Sequence, residues 1–140
     1  MSVAETDTIN EIADRLSAAI EKSNVAAVDR LWSDDIAVWR VGARRDNDKA
    51  RARSHRLVHH SHRAATLRIL DRRLFCGSVG GFVQQHILHP TGHAGQLISM
   101  RVWIVLKVDP DGLINRIDEY FDLAEIAPHD GLARATEKME

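Results

Sequence analysis

The sequence predicts an α+β fold in which a cone-shaped, curved antiparallel sheet wraps around about three N-terminal helices. Three observations predict it. Apolar residues recur at helical spacing in the first quarter of the chain, strand patterns dominate after Arg63, and short turn signals separate those strands. Strands joined by short turns must run antiparallel, and a curved sheet of this kind buries its apolar face against helices. At 140 residues and 44% hydrophobic content the chain fits one domain over residues 1–140 with one sizeable core.

The first helix is predicted from apolar positions 9, 12, 13, 16, 19 and 20, with Thr8 and Glu11 at the spacing of a capping box. Asn24 reads as the cap of a second, short helix in which Val25, Val28, Leu31 and Trp32 line one side. Ser33-Asp34-Asp35 reads as its end. Ile36 to Val41 alternates as a strand, with Ile36, Val38 and Arg40 on one side and Ala37, Trp39 and Val41 on the other. Asp46 to about His60 is polar but rich in helix formers, and predicts a third helix capped by Asp46 or Asn47. Leu67, Ile69, Leu74 and Phe75 mark the next strand, and Gly77 to Gly81 reads as a turn. Phe82 to His89 follows as a strand, Pro90-Thr91-Gly92 as a turn, and Gln96 to Val108 as a long strand with an apolar even-numbered face. Asp109-Pro110-Asp111-Gly112 is a hairpin signal leading into the last strand, and residues 129–140 read as a flexible tail.

Net charge is −1, so bulk charge does not suit the chain to nucleic acid or an anionic membrane. The balance is uneven: residues 40–73 hold 11 of the 19 basic residues against 3 acids, a local +8, and predict a basic face that is either solvated or anion-binding. Cys76 is the only cysteine, so no internal disulfide is available and a reducing cytoplasm is expected. The N-terminus lacks the pattern of a secretory signal, and no apolar run of about 18 residues suits a membrane span. His55 and His59 sit one helical turn apart beside His60 and His62. No neighbouring carboxylate or cysteine completes a ligand set, so neither a metal nor another cofactor is expected.

The sharpest chemical signal lies in the last strand. Alternation puts Ile117, Glu119 and Phe121 on one face and Asp118, Tyr120 and Asp122 on the other. A carboxylate among apolar neighbours must be paired, protonated or employed. Glu119 is therefore either an acid–base group in a pocket or half of a buried ion pair with Arg40 or Arg101. His86 and His89, three apart on the preceding strand, point to opposite faces, so at most one of them joins Glu119. Arg101 lies between Ser99 and Trp103 on the more polar face, and serves either an interface salt bridge or a substrate. Trp39 is either core or the border of a pocket mouth.

The order of elements, with Trp-Ser-Asp-Asp-Ile-Ala-Val-Trp at 32–39 and Asp-Gly-Leu-Ile-Asn-Arg-Ile-Asp-Glu-Tyr-Phe-Asp at 111–122, resembles the SnoaL-like branch of the nuclear-transport-factor-2-like superfamily. The resemblance covers nearly the whole chain and implies a cystatin-like α+β barrel with a small-molecule pocket. Limonene epoxide hydrolase, in that branch, ends in a similar strand, and its first acid, a catalytic carboxylate, falls on Glu119. Its partner Arg and Asp fall near Ile87 and His89, and its water-holding Tyr and Asn near Val38 and Arg40, where other residue types stand. The resemblance thus favours His89 as the pocket histidine, whereas the polar run Gln84-Gln85-His86 favours His86. It implies cofactor-free isomerase, hydratase or hydrolase chemistry on a small hydrophobic organic ligand, with Glu119 and a histidine catalytic and Trp39, Arg40, Arg101 and Phe121 binding substrate. The alternative is a non-catalytic ligand-binding or assembly module, a homodimer through an outer sheet face bearing Arg101, Trp103, Tyr120 and His86.

Overall fold

A computed structural model describes residues 3–52, 64–78, 80–92, 99–122 and 124. Helix α1 (Val3–Glu21) and helix α2 (Val25–Leu31) precede strand β1 (Trp32–Arg40) and a single turn of helix, α3 (Lys49–Ala52). Four strands follow: β2 (Ala64–Ser78), β3 (Gly81–Gly92), β4 (Met100–Val108) and β5 (Ile114–Phe121). The sheet is open and curved, and its order is β1-β5-β4-β3-β2. Strands β2 to β5 form antiparallel neighbours, as their short connections require. β1 is separated in sequence from its neighbour β5 and pairs with it parallel, which makes the sheet mixed.

α1 begins earlier than its capping-box signal, so Thr8 and Glu11 lie inside the helix rather than at its start. Its stripe of Ile9, Ile12, Ala13, Leu16 and Ala19 is buried against the inner face of the sheet. α2 starts as expected: the side-chain oxygen of Asn24 accepts from the Ala27 amide at 3.1 Å. Ser33-Asp34-Asp35 does not merely end that helix. It belongs to β1, with Ser33 donating to Asp35 at 2.7 Å and Lys49 Nζ reaching both Asp34 and the Trp32 carbonyl at 3.2 Å. The cap of α3 is Asp48, whose Oδ1 accepts from the Arg51 amide at 2.9 Å. Neither Asp46 nor Asn47 fills that place, because Asn47 makes a two-bond bridge with Val38 and covers the outer edge of β1. The expected continuation of α3 to His60, His55, His59 and His62, the start of the long strand at Gln96, and the tail 129–140 all lie outside the described residues.

Pro90-Thr91-Gly92 is strand rather than turn: Pro90 pairs with Leu67 and Thr91 with Thr66, extending β3 to Gly92. β2 runs on through Asp71, which takes the left-handed φ of 51° at a bulge between Leu70 and Arg73. The hairpin at 109–112 forms as predicted. Gly112 has φ 82°, and Asp109 Oδ1 accepts from the amides of Asp111 and Leu113, both at 3.0 Å.

The core lies between α1, α2 and the inner face of the sheet. Met100, Val102, Ile104 and Leu106 supply it from β4, Ile114 and Ile117 from β5, Ile36 and Val38 from β1, and Phe82 and Leu88 from β3. Each such side chain contributes about 1.5–3 kcal/mol by leaving water, so this face sets the fold. The basic run of residues 40–73 makes no single face among the described residues. Arg40 is buried in the core, Lys49 pairs with Asp29 and Asp34, and Arg72 pairs with Asp14.

Candidate functional site

Strand register brings the polar residues of the inner face into two adjacent rows. In one row Arg40 of β1 faces Glu119 of β5, Glu119 faces Ile104 of β4, and Ile104 faces Gln84 of β3. In the next row Phe121 faces Val102, and Val102 faces His86. A carboxylate and an imidazole thus flank the apolar strand β4 from its two sides. The curve of the sheet turns them toward a common cavity of about 40 Å³, lined by Arg40, Glu119, His86, Phe121, Met100 and Ile20 together with aliphatic side chains of β2, β3 and β4.

Arg40 holds Glu119 directly, its Nε 2.9 Å from Oε1, and its guanidinium carbon lies 4.8 Å from the centroid of the Phe121 ring. The arginine is 3% exposed. A cation so placed stabilises the anionic form of its partner and offsets the desolvation that would otherwise keep the acid protonated. Glu119 is accordingly both a member of a buried ion pair and a wall residue of the cavity. Of the two partners weighed from the sequence, Arg40 forms the buried pair, and the same carboxylate stands at the cavity wall. The backbone supports the arrangement, because the Val41 amide donates to the Glu119 carbonyl at 2.9 Å.

His86, not His89, faces inward. It is 5% exposed, and its Nδ1 lies 3.0 Å from Nε2 of Gln84, itself 1% exposed. Gln84 Nε2 also lies 3.5 Å from Ser17 Oγ on α1, to which Arg72 Nη1 donates at 3.1 Å. Arg72 donates in addition to the Ala13 carbonyl at 3.0 Å and pairs with Asp14. The bulge at Asp71 and Arg72 lies opposite His86 and lets Arg72 reach α1 while Leu74 and Ile69 keep to the inner side. Sequence reasoning missed Gln84, Ser17 and Arg72. The signal was present in β3, where Phe82, Gln84, His86 and Leu88 share one face by alternation and two of the four are polar.

The remaining candidates lie on the outer face. His89 Nδ1 is 3.0 Å from Ser99 Oγ. Trp39 packs against Tyr120 with ring centroids 5.2 Å apart, and its Nε1 donates to the Ala43 carbonyl at 3.1 Å. Arg101 joins Trp103, Tyr120, Ile87, Val41 and Asp122 around an open outer concavity of about 640 Å³. Trp39, Arg101 and His89 therefore do not line the inner cavity, whereas Arg40, Phe121, Glu119 and His86 do. The placement of His89 corrects the position implied by resemblance: register with β4 puts the even residues of β3 inside.

Solved structures share this arrangement of helices packed on the concave side of a curved sheet. A protein named as an isomerase in Bacillus subtilis superposes with a TM-score of 0.77 at 13% identity, covering 94% of this chain and 96% of its own. A protein named as a SnoaL-like polyketide cyclase in Shewanella denitrificans gives 0.70 at 14% identity, over 89% and 96% of the two chains. SalBIII, an epoxide hydrolase/cyclase-like enzyme with a role in pyran ring formation in the polyether salinomycin, gives 0.68 at 14% identity, over 86% and 95%. At such identities the likeness is one of fold. No family model and no curated protein matches the sequence.

Proposed function

We propose that this chain is a SnoaL-type pocket protein that performs cofactor-free acid–base chemistry, as an isomerase, hydratase or hydrolase, on a small and largely apolar organic molecule. One observation supports this reading above the others. Glu119 is held by Arg40 in the wall of an apolar cavity that it shares with His86. A carboxylate fixed in a dry wall is suited to removing or returning a proton, and a histidine across the same space supplies the complementary group. The neighbours of the same fold are named for isomerase, cyclase and epoxide-hydrolase-like roles, which agree with this class of chemistry. The cavity has room for about three waters. A ligand must therefore be small or displace its wall, and Met100, unbranched and adaptable, is the wall residue most able to give way.

The test is a screen of small ketones, enones and epoxides against the wild-type chain with product detection by NMR. Glu119→Gln keeps the shape and removes the base, and is expected to lower any turnover found by about 10²–10⁴-fold. Undiminished turnover in that variant would show that the assignment is wrong.

A second reading rests on the other face. Trp103 and Tyr120 are 45% and 46% exposed beside Arg101 and Asp122, a pattern suited to a homodimer through the outer sheet. The two readings are compatible, since they use opposite faces.

A further inference from the structure

The inner cavity is smaller than most organic molecules, so a ligand can enter only where its wall can move. Apart from Ile20, every described residue that lines it stands on a strand of the sheet. A strand cannot leave that wall without breaking its ladder hydrogen bonds, whereas the terminal turn of a helix opens more readily. Met100 can repack inside the cavity, but β4 is paired on both sides and stays in place. Ile20 belongs to the last turn of α1 and is partly buried against the core.

That turn is held differently from the rest of α1. Earlier turns are fixed by the buried apolar stripe and by Arg72, which donates to the Ala13 carbonyl and to Ser17. The helix ends in a Schellman cap: the Ser23 amide donates to the Ile20 carbonyl at 3.0 Å, and the Asn24 amide to the Ala19 carbonyl at 2.9 Å. The left-handed position of such a cap is usually glycine. Here it is Ser23, with φ 53°, so the cap carries backbone strain. A side-chain hydrogen bond ties the turn to the sheet, Glu21 Oε2 accepting from the Ile69 amide at 2.9 Å. Ile69 lies on β2, the last strand of the sheet, and this bond covers one of its edge donors. Glu21 is the final residue of α1, where a carboxylate opposes the helix dipole, and the bond to Ile69 offsets that unfavourable placement.

We propose that the last turn of α1 is the gate of the cavity, with Ile20 as the closing side chain and the Glu21–Ile69 hydrogen bond as its latch. The gate rests on reading the cavity as a ligand pocket, and not on any role of Glu119. A ligand larger than the resting space binds only the state in which Ile20 is displaced and the latch broken. Its affinity is lowered by the fraction of chains in that state. Weakening the latch therefore tightens the binding of large apolar ligands and leaves small ones unaffected.

The test uses the full chain with carbon-13 methionine methyl groups, so that Met100 reports occupancy. Two probes are compared: xenon, a single apolar atom that the resting cavity admits, and cyclohexanone, a ring that exceeds it. Both should shift the Met100 methyl resonance. No shift with either would overturn the pocket reading and the gate together, whereas a shift with xenon alone would overturn the gate and leave the pocket standing. In the wild type cyclohexanone should speed hydrogen exchange at the Ile69 amide, and xenon should not. An Ile69 amide equally protected in the cyclohexanone complex would overturn the latch without any variant. Glu21→Ala alters an exposed side chain, and should tighten cyclohexanone binding about two- to tenfold with xenon affinity unchanged. Glu21→Gln keeps an acceptor oxygen and should bind both probes as the wild type does. Unchanged cyclohexanone affinity in Glu21→Ala, or an equal gain for both probes, would refute the gate.

Discussion

The Arg40–Glu119 pair shows how one residue can be costly and necessary at once. Both side chains are largely out of water, and their attraction offsets a desolvation penalty of several kcal/mol per ion. Removing one partner strands the other. Arg40→Met is therefore expected to destabilise the chain by about 3–5 kcal/mol in urea unfolding, whereas the double substitution Arg40→Met with Glu119→Leu should recover most of the loss. Additive losses in the two single variants would show that the pair is not coupled. Arg116 illustrates the exposed counterpart. It bridges Asp46 at 2.8 Å and Asp118 at 2.7 Å, tying the segment after β1 to β5. The hydrogen bond from Arg116 holds the Asp46 carboxyl below its ordinary value of 3.8, and the two carboxylates push the guanidinium of Arg116 upward. The group with the lowered folded value contributes stability that is present above the ordinary carboxylate range and is lost as pH falls through the folded value. Arg116→Met should thus cost on the order of 1 kcal/mol at neutral pH, and the difference from wild type should shrink as pH falls below the ordinary carboxylate range in acid titrations of stability. A difference that persists there would assign the effect to packing instead.

At the scale of elements, the turns carry strong constraints. Gly81 opens β3 where a Cβ would stand 2.7 Å from the Leu106 carbonyl oxygen on β4, so backbone must move to admit even alanine. Gly112 has φ 82° but nothing within 4 Å of its Cβ position, so alanine there meets only backbone strain. Gly112→Ala is expected to cost about 1–2 kcal/mol, and Gly81→Ala more, with loss of the β3–β4 register. Equal thermal midpoints for the two variants would refute the ranking. The bulge at Asp71 tells a related story from the opposite side. A non-glycine residue with positive φ stores about 1 kcal/mol or more of strain. The chain tolerates it because the bulge sends Arg72 to α1, where it reaches both the Ala13 carbonyl and Ser17.

On the scale of the whole molecule, the sheet separates two environments. Its concave side holds α1, the core and the cavity, and its convex side exposes Trp103 and Tyr120, with Phe75 also exposed on β2. Trp103 and Tyr120 are paired neighbours on β4 and β5, and so form an adjacent exposed aromatic patch among the described residues. A dimer through this face is expected, and light scattering should report twice the chain mass, with Trp103→Glu shifting it toward the monomer. A monomer at high concentration in the wild type would sink the idea. Among the described residues no helix is long and apolar enough to cross a membrane.

Much of this was legible in the sequence. Helical spacing in α1, the Asn24 cap, the apolar face of β4 and the hairpin at Asp109 are local patterns, and local geometry alone decides them. The inward direction of Glu119 also followed, because alternation along one strand needs no partner. What the sequence left open depended on pairing between distant segments. Two histidines three apart must face opposite ways, but only the register of β3 on β4 decides that His86 is the inner one. Arg40 and Arg101 were equal candidates for Glu119 until parallel pairing of β1 with β5 set Arg40 beside it. Gln84, Ser17 and Arg72 come from three separate elements, and a bulge that no residue type announces brings them together. Single-strand periodicity is written in neighbouring residues, so the sequence by itself determined the class of fold and the pocket carboxylate. Register and crossover are set by the packing of the whole core, so only the tertiary structure decided which groups that carboxylate meets.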